Sequence, residues 1–184
     1  MAIPAADAVS LLMREHRLAE QLFLQLDAAV EAGDQDDQRE LADRILTELS
    51  AHAAIEEEVL YPAARAVPDA AGAVDRSLAE HKELETVLAR LEGTDPGDAR
   101  FAEGFRQARE MVDHHVAEEE GELFPVLRRS LADDELASLR DRLVEARSAA
   151  PTRPRPSTPV AAVADAATSL IDKAKGAIRS LGPD

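Results

Sequence analysis

Along residues 5–31, apolar side chains recur at alternating steps of three and four: Val9, Leu12, Ala19, Phe23, Leu26 and Val30. At about 100° per residue this spacing keeps to one face of an α-helix, so a first helix is predicted there. Gly33 followed by Asp34, Asp36 and Asp37 ends it and starts the next. Leu41, Ile45, Leu49 and Val59 or Leu60 predict a second helix over 37–66. Pro62 is expected to kink or tighten it near its end. Val74, Leu78 and Leu88 predict a third helix over 73–92. Phe101, Phe105, Ala108, Val112 and Leu123 predict a fourth over 98–130. A short fifth, over 133–148, turns Leu136, Leu139 and Leu143 inward. Four long helices joined by short loops predict an all-α fold, an antiparallel four-helix up-down bundle.

The four stripes share a peculiarity. Each is interrupted by a histidine where an apolar residue belongs: His16, His52, His81 and His115. Two of these are followed at i+4 by a glutamate on the same stripe, Glu56 and Glu119. Residues i and i+4 are neighbours on a helix, so each His–Glu pair reaches one point in the core. The surrounding sequence is also written twice. His52 to Pro62 and His115 to Pro125 both run histidine, glutamate at i+4, then Leu-aromatic-Pro. The bundle would thus bring four imidazoles and two carboxylates into one interior layer. Buried charge without a partner is costly, and a bound pair of dications removes that cost.

Neighbouring residues are less clear-cut. Glu20 and Glu85 also follow histidines at i+4. Each is read as a further ligand, as a partner of a metal-bound imidazole, or as an exposed charge. Glu57, Glu58, Glu118, Glu120 and Glu122 read as solvated, and Tyr61 as a packing residue matching Phe124. His114 has its own glutamate at i+4, Glu118. The apolar stripe and the distance to Pro125 select His115–Glu119 as the inward pair.

Composition narrows the chemistry. The chain has no cysteine, which excludes disulfides and thiolate-held metals or clusters. Its net charge is −16, although residues 151–184 hold three acids and five bases. Such a charge argues against a nucleic-acid partner and concentrates cations near the bundle. Without an apolar run long enough for a signal peptide or a membrane span, the expected compartment is the cytoplasm. Three segments are expected: a metal-binding bundle at 1–148, an extended, mobile Pro-rich linker at 149–159, and a C-terminal segment at 160–184 carrying an amphipathic helix. The apolar face of that helix would seek a protein partner or a membrane surface.

In the order His, HxxxE with Leu-Tyr-Pro, His, HxxxE with Leu-Phe-Pro, residues 5–130 resemble the hemerythrin-like, or HHE cation-binding, family. The resemblance implies two non-haem irons held by His16, His52, Glu56, His81, His115 and Glu119, with the two glutamates bridging. Imidazole and carboxylate donors also suit manganese or zinc. Oxygen-carrying members have a second histidine where this chain has Glu85, and an aspartate where it has Glu120. The expected role is therefore reaction with peroxide, O2 or nitric oxide in stress response or iron homeostasis. The alternative is a non-catalytic sensor or store for the same small ligands.

Overall fold

The computed structural model describes residues 7–154. Helix α1 (Ala8–Ala32) starts under Asp7, whose carboxylate accepts the Ser10 N–H at 2.6 Å. It ends at Gly33, whose φ of 70° only glycine adopts without strain. Asp34 caps α2 (Gln35–Ile55) by accepting the Asp37 N–H. This helix runs on through a π-helical turn, Glu56–Leu60, into a last α-helical turn, Tyr61–Ala64. A 3-10 turn at Pro68–Ala70 leads into α3 (Ala71–Leu91). Helix α4 (Ala99–Glu118), capped by Asp98, repeats the pattern: a π turn, Glu119–Leu123, then an α-helical end, Phe124–Ser130. Helix α5 (Asp133–Arg147) closes the order and packs along α1 and the second half of α2. The described elements are all helical, and none is long and apolar enough to cross a membrane.

The π turns depart from the expected effect of proline. Tyr61 N–H donates to Glu56 O, and Phe124 N–H donates to Glu119 O, each five residues back. The helix widens by one residue where tightening was expected. Pro62 and Pro125 then fall in the first turn of the next α-helical segment, where a missing N–H costs nothing. Widening also matters for direction. In a regular α-helix, residues five apart point about 140° away from each other. Across the π turn they draw nearly into line, and the Tyr61 hydroxyl comes within 3.4 Å of Glu56 Oε2.

The core has two apolar clusters. One holds Val9, Leu12, Ile55, Leu60, Leu123, Phe124 and the α5 leucines Leu136, Leu139 and Leu143. The other holds Phe23, Leu26, Ile45, Leu49, Leu88, Phe101 and Phe105. Between them lies a layer of buried polar residues: His16, His52, Glu56, His81, His115 and Glu119. On α3 the buried face runs Val74, Ser77, His81, Leu84, Val87, Leu88. Leu84 takes the inward position that the stripe left open between 84 and 85, which turns Glu85 aside.

After α5 the chain does not swing free at once. Thr47 Oγ1 donates to Thr152 O at 3.3 Å, and Arg153 Nη1 pairs with Asp43 Oδ1 at 2.9 Å. Side chains on α2 therefore pin residues 152–153, which the proline content alone suggested were mobile. The rest of the linker and the expected C-terminal helix lie outside the described residues.

Candidate metal centre

The six side chains meet in two overlapping groups. His16, His52, Glu56 and Glu119 offer donor atoms within 4.8 Å of one another, and so do Glu56, His81 and His115. Glu56 Oε2 lies 3.3 Å from His52 Nε2 and 3.4 Å from His81 Nε2. Glu119 Oε2 lies 3.4 Å from His16 Nε2 and 3.6 Å from His115 Nε2. Each carboxylate therefore spans from one hairpin to the other, the disposition of a bridging ligand. The donor set suits a pair of cations, and so does its polar accounting. His16 Nε2, His52 Nε2, Glu56 Oε1 and Glu119 Oε2 are all buried without a hydrogen-bond partner. Orphaned buried polar atoms cost about 1–3 kcal/mol each. Four of them converging on one region would be a large defect, and metal coordination removes it.

A ring of acids, one behind each histidine, fixes the imidazoles. His16 Nδ1 faces Glu120 Oε1 at 2.9 Å, and His52 Nδ1 faces Glu15 Oε2 at 2.8 Å. His81 Nδ1 faces Glu57 Oε1 at 3.0 Å, and His115 Nδ1 faces Glu80 Oε2 at 2.9 Å. An ionised carboxylate only accepts, so each Nδ1 carries the proton and each Nε2 turns its lone pair to the centre. The sequence reading missed all four. Glu57 and Glu120 looked solvated, and Glu15 and Glu80 were not singled out. A local signal existed for two of them: Glu15 and Glu80 each immediately precede a stripe histidine, His16 and His81. Each serves a histidine on the neighbouring helix.

Glu20 and Glu85 belong to neither group. Glu20 is exposed and accepts from Arg17 at 3.4 Å. Glu85 is half-buried beside Leu84. His114 is 66 % exposed in its side chain and faces Glu80 and Glu118 on the outside of α4. Inside, Tyr61 differs from its expected packing role. Its hydroxyl donates to Glu119 Oε1 at 2.9 Å and sits 3.2 Å from His81 Nε2. Its counterpart Phe124 stacks on His16 with ring centroids 5.7 Å apart, while Tyr61 lies against His81 at 5.5 Å. Each hairpin thus lends its aromatic ring to the first histidine of the other, but only one ring carries an oxygen.

The electrostatics follow from burial and crowding. Burial, then repulsion from Glu119, pushes Glu56 up to about 8. Burial and the neighbouring imidazoles hold His52 well below its ordinary value, and burial also lowers His115. Burial alone would depress His81, but its bonds to Glu56 and Glu57 and their charges raise it to about 10. For His16, too, burial is opposed and outweighed, by Glu119, Glu56 and Glu120, and the net shift is upward. Burial and the adjacent carboxylates push the Tyr61 phenol well above its usual range, so it keeps its proton. Beside this layer lies a cavity of about 30 Å³. The histidines line it on one side, and Ala19, Leu49, Leu84 and Val112 line the other. That volume holds one water-sized molecule.

A helical bundle with convergent imidazole and carboxylate donors between two apolar clusters is a metal-binding bundle. This chain belongs to the hemerythrin HHE cation-binding domain family, whose model matches residues 7–127. It is similar to a DNA nickase of Nostoc sp. (strain PCC 7120), 30% identical over 121 residues; the match covers 66% of this chain and 33% of that protein. The chain thus spans about a third of that relative's length. The fold is that of a hemerythrin HHE cation-binding domain-containing protein of Mycobacterium kansasii, an Rv2633c homologue. The TM-score is 0.67 at 23% identity, over 79% of this chain and 90% of that one.

Proposed function

We propose that the protein is a non-haem di-iron protein whose centre reacts with a small oxidant, hydrogen peroxide first among peroxide, O2 and nitric oxide. The observation that carries this is the buried layer itself, with four Nε2 atoms and two spanning carboxylates beside a cavity of about 30 Å³. Imidazole and carboxylate without thiolate suit iron. When bound, an iron pair supplies two electrons at one place, which peroxide reduction requires. His16, His52, Glu56 and Glu119 would hold one metal, and Glu56, His81 and His115 the other. The chain's own residues do the rest. The four outer acids keep the imidazoles in one tautomer. The two apolar clusters keep bulk water out, and the small cavity admits only small molecules. Tyr61 holds a proton 2.9 Å from Glu119, ready to hydrogen-bond to the centre as its charge changes.

The nickase activity named for the Nostoc relative is not taken up. A chain of net charge −16 repels a phosphate backbone. A cytoplasmic setting, where peroxide and nitric oxide are encountered by diffusion, fits this role. Anaerobic loading with Fe(II) should give about two irons per chain, and the loaded protein should consume peroxide catalytically. A stable adduct that releases O2 under vacuum, with no peroxide turnover, would move the protein to the sensor or storage class instead. Far fewer than two metals per chain would remove the dinuclear centre altogether.

A further inference from the structure

The family match ends at residue 127, and α5 lies beyond it. Its last residue is Arg147. The Arg147 guanidinium spans two helices. Nη1 donates to Glu15 Oε2 on α1 at 3.0 Å, and Nη2 donates to Glu48 on α2. Glu15 Oε2 is the same oxygen that faces His52 Nδ1. Glu15 and Glu48 also both line the cavity beside the histidines. A chain of contacts thus runs from α5 through Glu15 to an imidazole of the centre.

The two halves of the centre differ here. Behind His16, Glu120 is held by Arg17; behind His52, Glu15 is held by Arg147. Behind His81 and His115, no arginine or lysine among the described residues pairs with Glu57 or Glu80. Glu80 meets His114 instead, at 3.4 Å. Arg17 comes from the residue next to His16, on the same helix. Arg147 comes from an element that the metal-binding repeat does not contain.

We propose that Arg147 is a positioning residue for the metal centre, acting through Glu15 on His52, so that α5 is part of the metal site. A planar guanidinium pinned at both ends fixes the carboxylate it holds. A fixed, ionised Glu15 commits the His52 proton to Nδ1 and leaves Nε2 bare toward the centre. Without Arg147, Glu15 is a half-buried carboxylate free to rotate away. His52 then samples the tautomer whose Nε2 carries the proton and cannot bind a metal.

The test uses the full-length chain. In metal-free protein labelled with 15N-histidine, His52 of the wild type should be the Nδ1–H tautomer. Arg147→Ala should leave it mixed, with His16, His81 and His115 unchanged. Arg147→Lys reaches only one acid at a time and should fall between. In protein loaded with two Co(II), Arg147→Ala should release one metal to a chelator about tenfold faster than the wild type, in line with the cost of losing an outer partner. It should release the other at the wild-type rate. An unchanged His52 tautomer, or equal acceleration for both metals, would overturn the proposal and leave α5 a packing element. The inference rests on the dinuclear reading. A wild type that fails to take up two metals would sink that reading, while the tautomer comparison in metal-free protein still decides the role of Arg147.

Discussion

His114 and His115 are adjacent, and both have a glutamate four residues on, yet they lie in different worlds. His115 is buried beside Glu119 and His81, while His114 faces solvent. His115→Ala should therefore lose metal or retain a single ion, whereas His114→Ala should keep the wild-type content; elemental analysis decides, and equal losses would contradict the structure's register for α4. Tyr61 supports a second expectation. Tyr61→Phe reproduces the ring of Phe124, so packing is kept and only the hydroxyl goes. Glu119 Oε1 and His81 Nε2 then lose their shared partner, at a cost of about 1–3 kcal/mol. The metal-free variant should melt several degrees below wild type, and the loaded variant should consume peroxide more slowly. Identical melting and turnover would return Tyr61 to the packing role that its place in the sequence repeat suggested. The hydroxyl's contacts were not legible because they depend on a π turn, which no apolar periodicity announces.

Among the elements, the positions and order of the helices could be read from three-and-four spacing, because the stripes are long and each is bounded by turn residues. What could not be read was which helix each outer acid serves. Glu15, Glu57, Glu80 and Glu120 all act across to a different helix, at sequence separations that no local pattern encodes. Glu85 illustrates the opposite error. A stripe written in whole residues left 84 and 85 equally placed, and the apolar side chain took the interior. The expectation for the C-terminal segment concerns elements too. Every residue of the centre, and Arg147 behind it, precedes residue 149. Truncation at Ala149 should leave about two metals per chain; a fall in metal content would mean that the C-terminal segment completes the core.

The molecule as a whole should reveal its centre through pH. In metal-free protein, Glu56 is raised to about 8 and His81 to about 10. A raised pKa means that the folded state holds its proton longer than the unfolded chain does, so the stabilisation is present at low pH and fades as pH rises through the folded value. For Glu56 that window runs from its ordinary value of 4.5 to about 8, and for His81 from 6.5 to about 10. His52 and His115 are shifted down, so they are neutral in both states above pH 7 and add no slope there. Between pH 7 and 10 the melting temperature of the metal-free protein should therefore fall. Metal should raise it throughout and flatten the slope, because the cations take the place of the protons. A metal-free protein that grows more stable over that range would contradict the burial of Glu56 and His81.

The π turns carry a consequence for descent. Each is a helix holding one residue more than an ordinary helix needs, and such a residue is the trace of an insertion. Removing it by deletion differs in kind from replacing it. Loss of Glu58, an exposed residue, should let the helix close normally while rotating Tyr61 and all that follows by about 100°. Substitution of Glu58 by alanine should leave metal content unchanged; its deletion should abolish binding, and a metal-replete deletion variant would refute this account. Both hairpins carry the extra residue at the same distance from their histidine, between Glu56 and Tyr61 and between Glu119 and Phe124. On that account the insertion is older than the doubling of the hairpin, and the ancestor that was copied already held its glutamate and its aromatic ring in line.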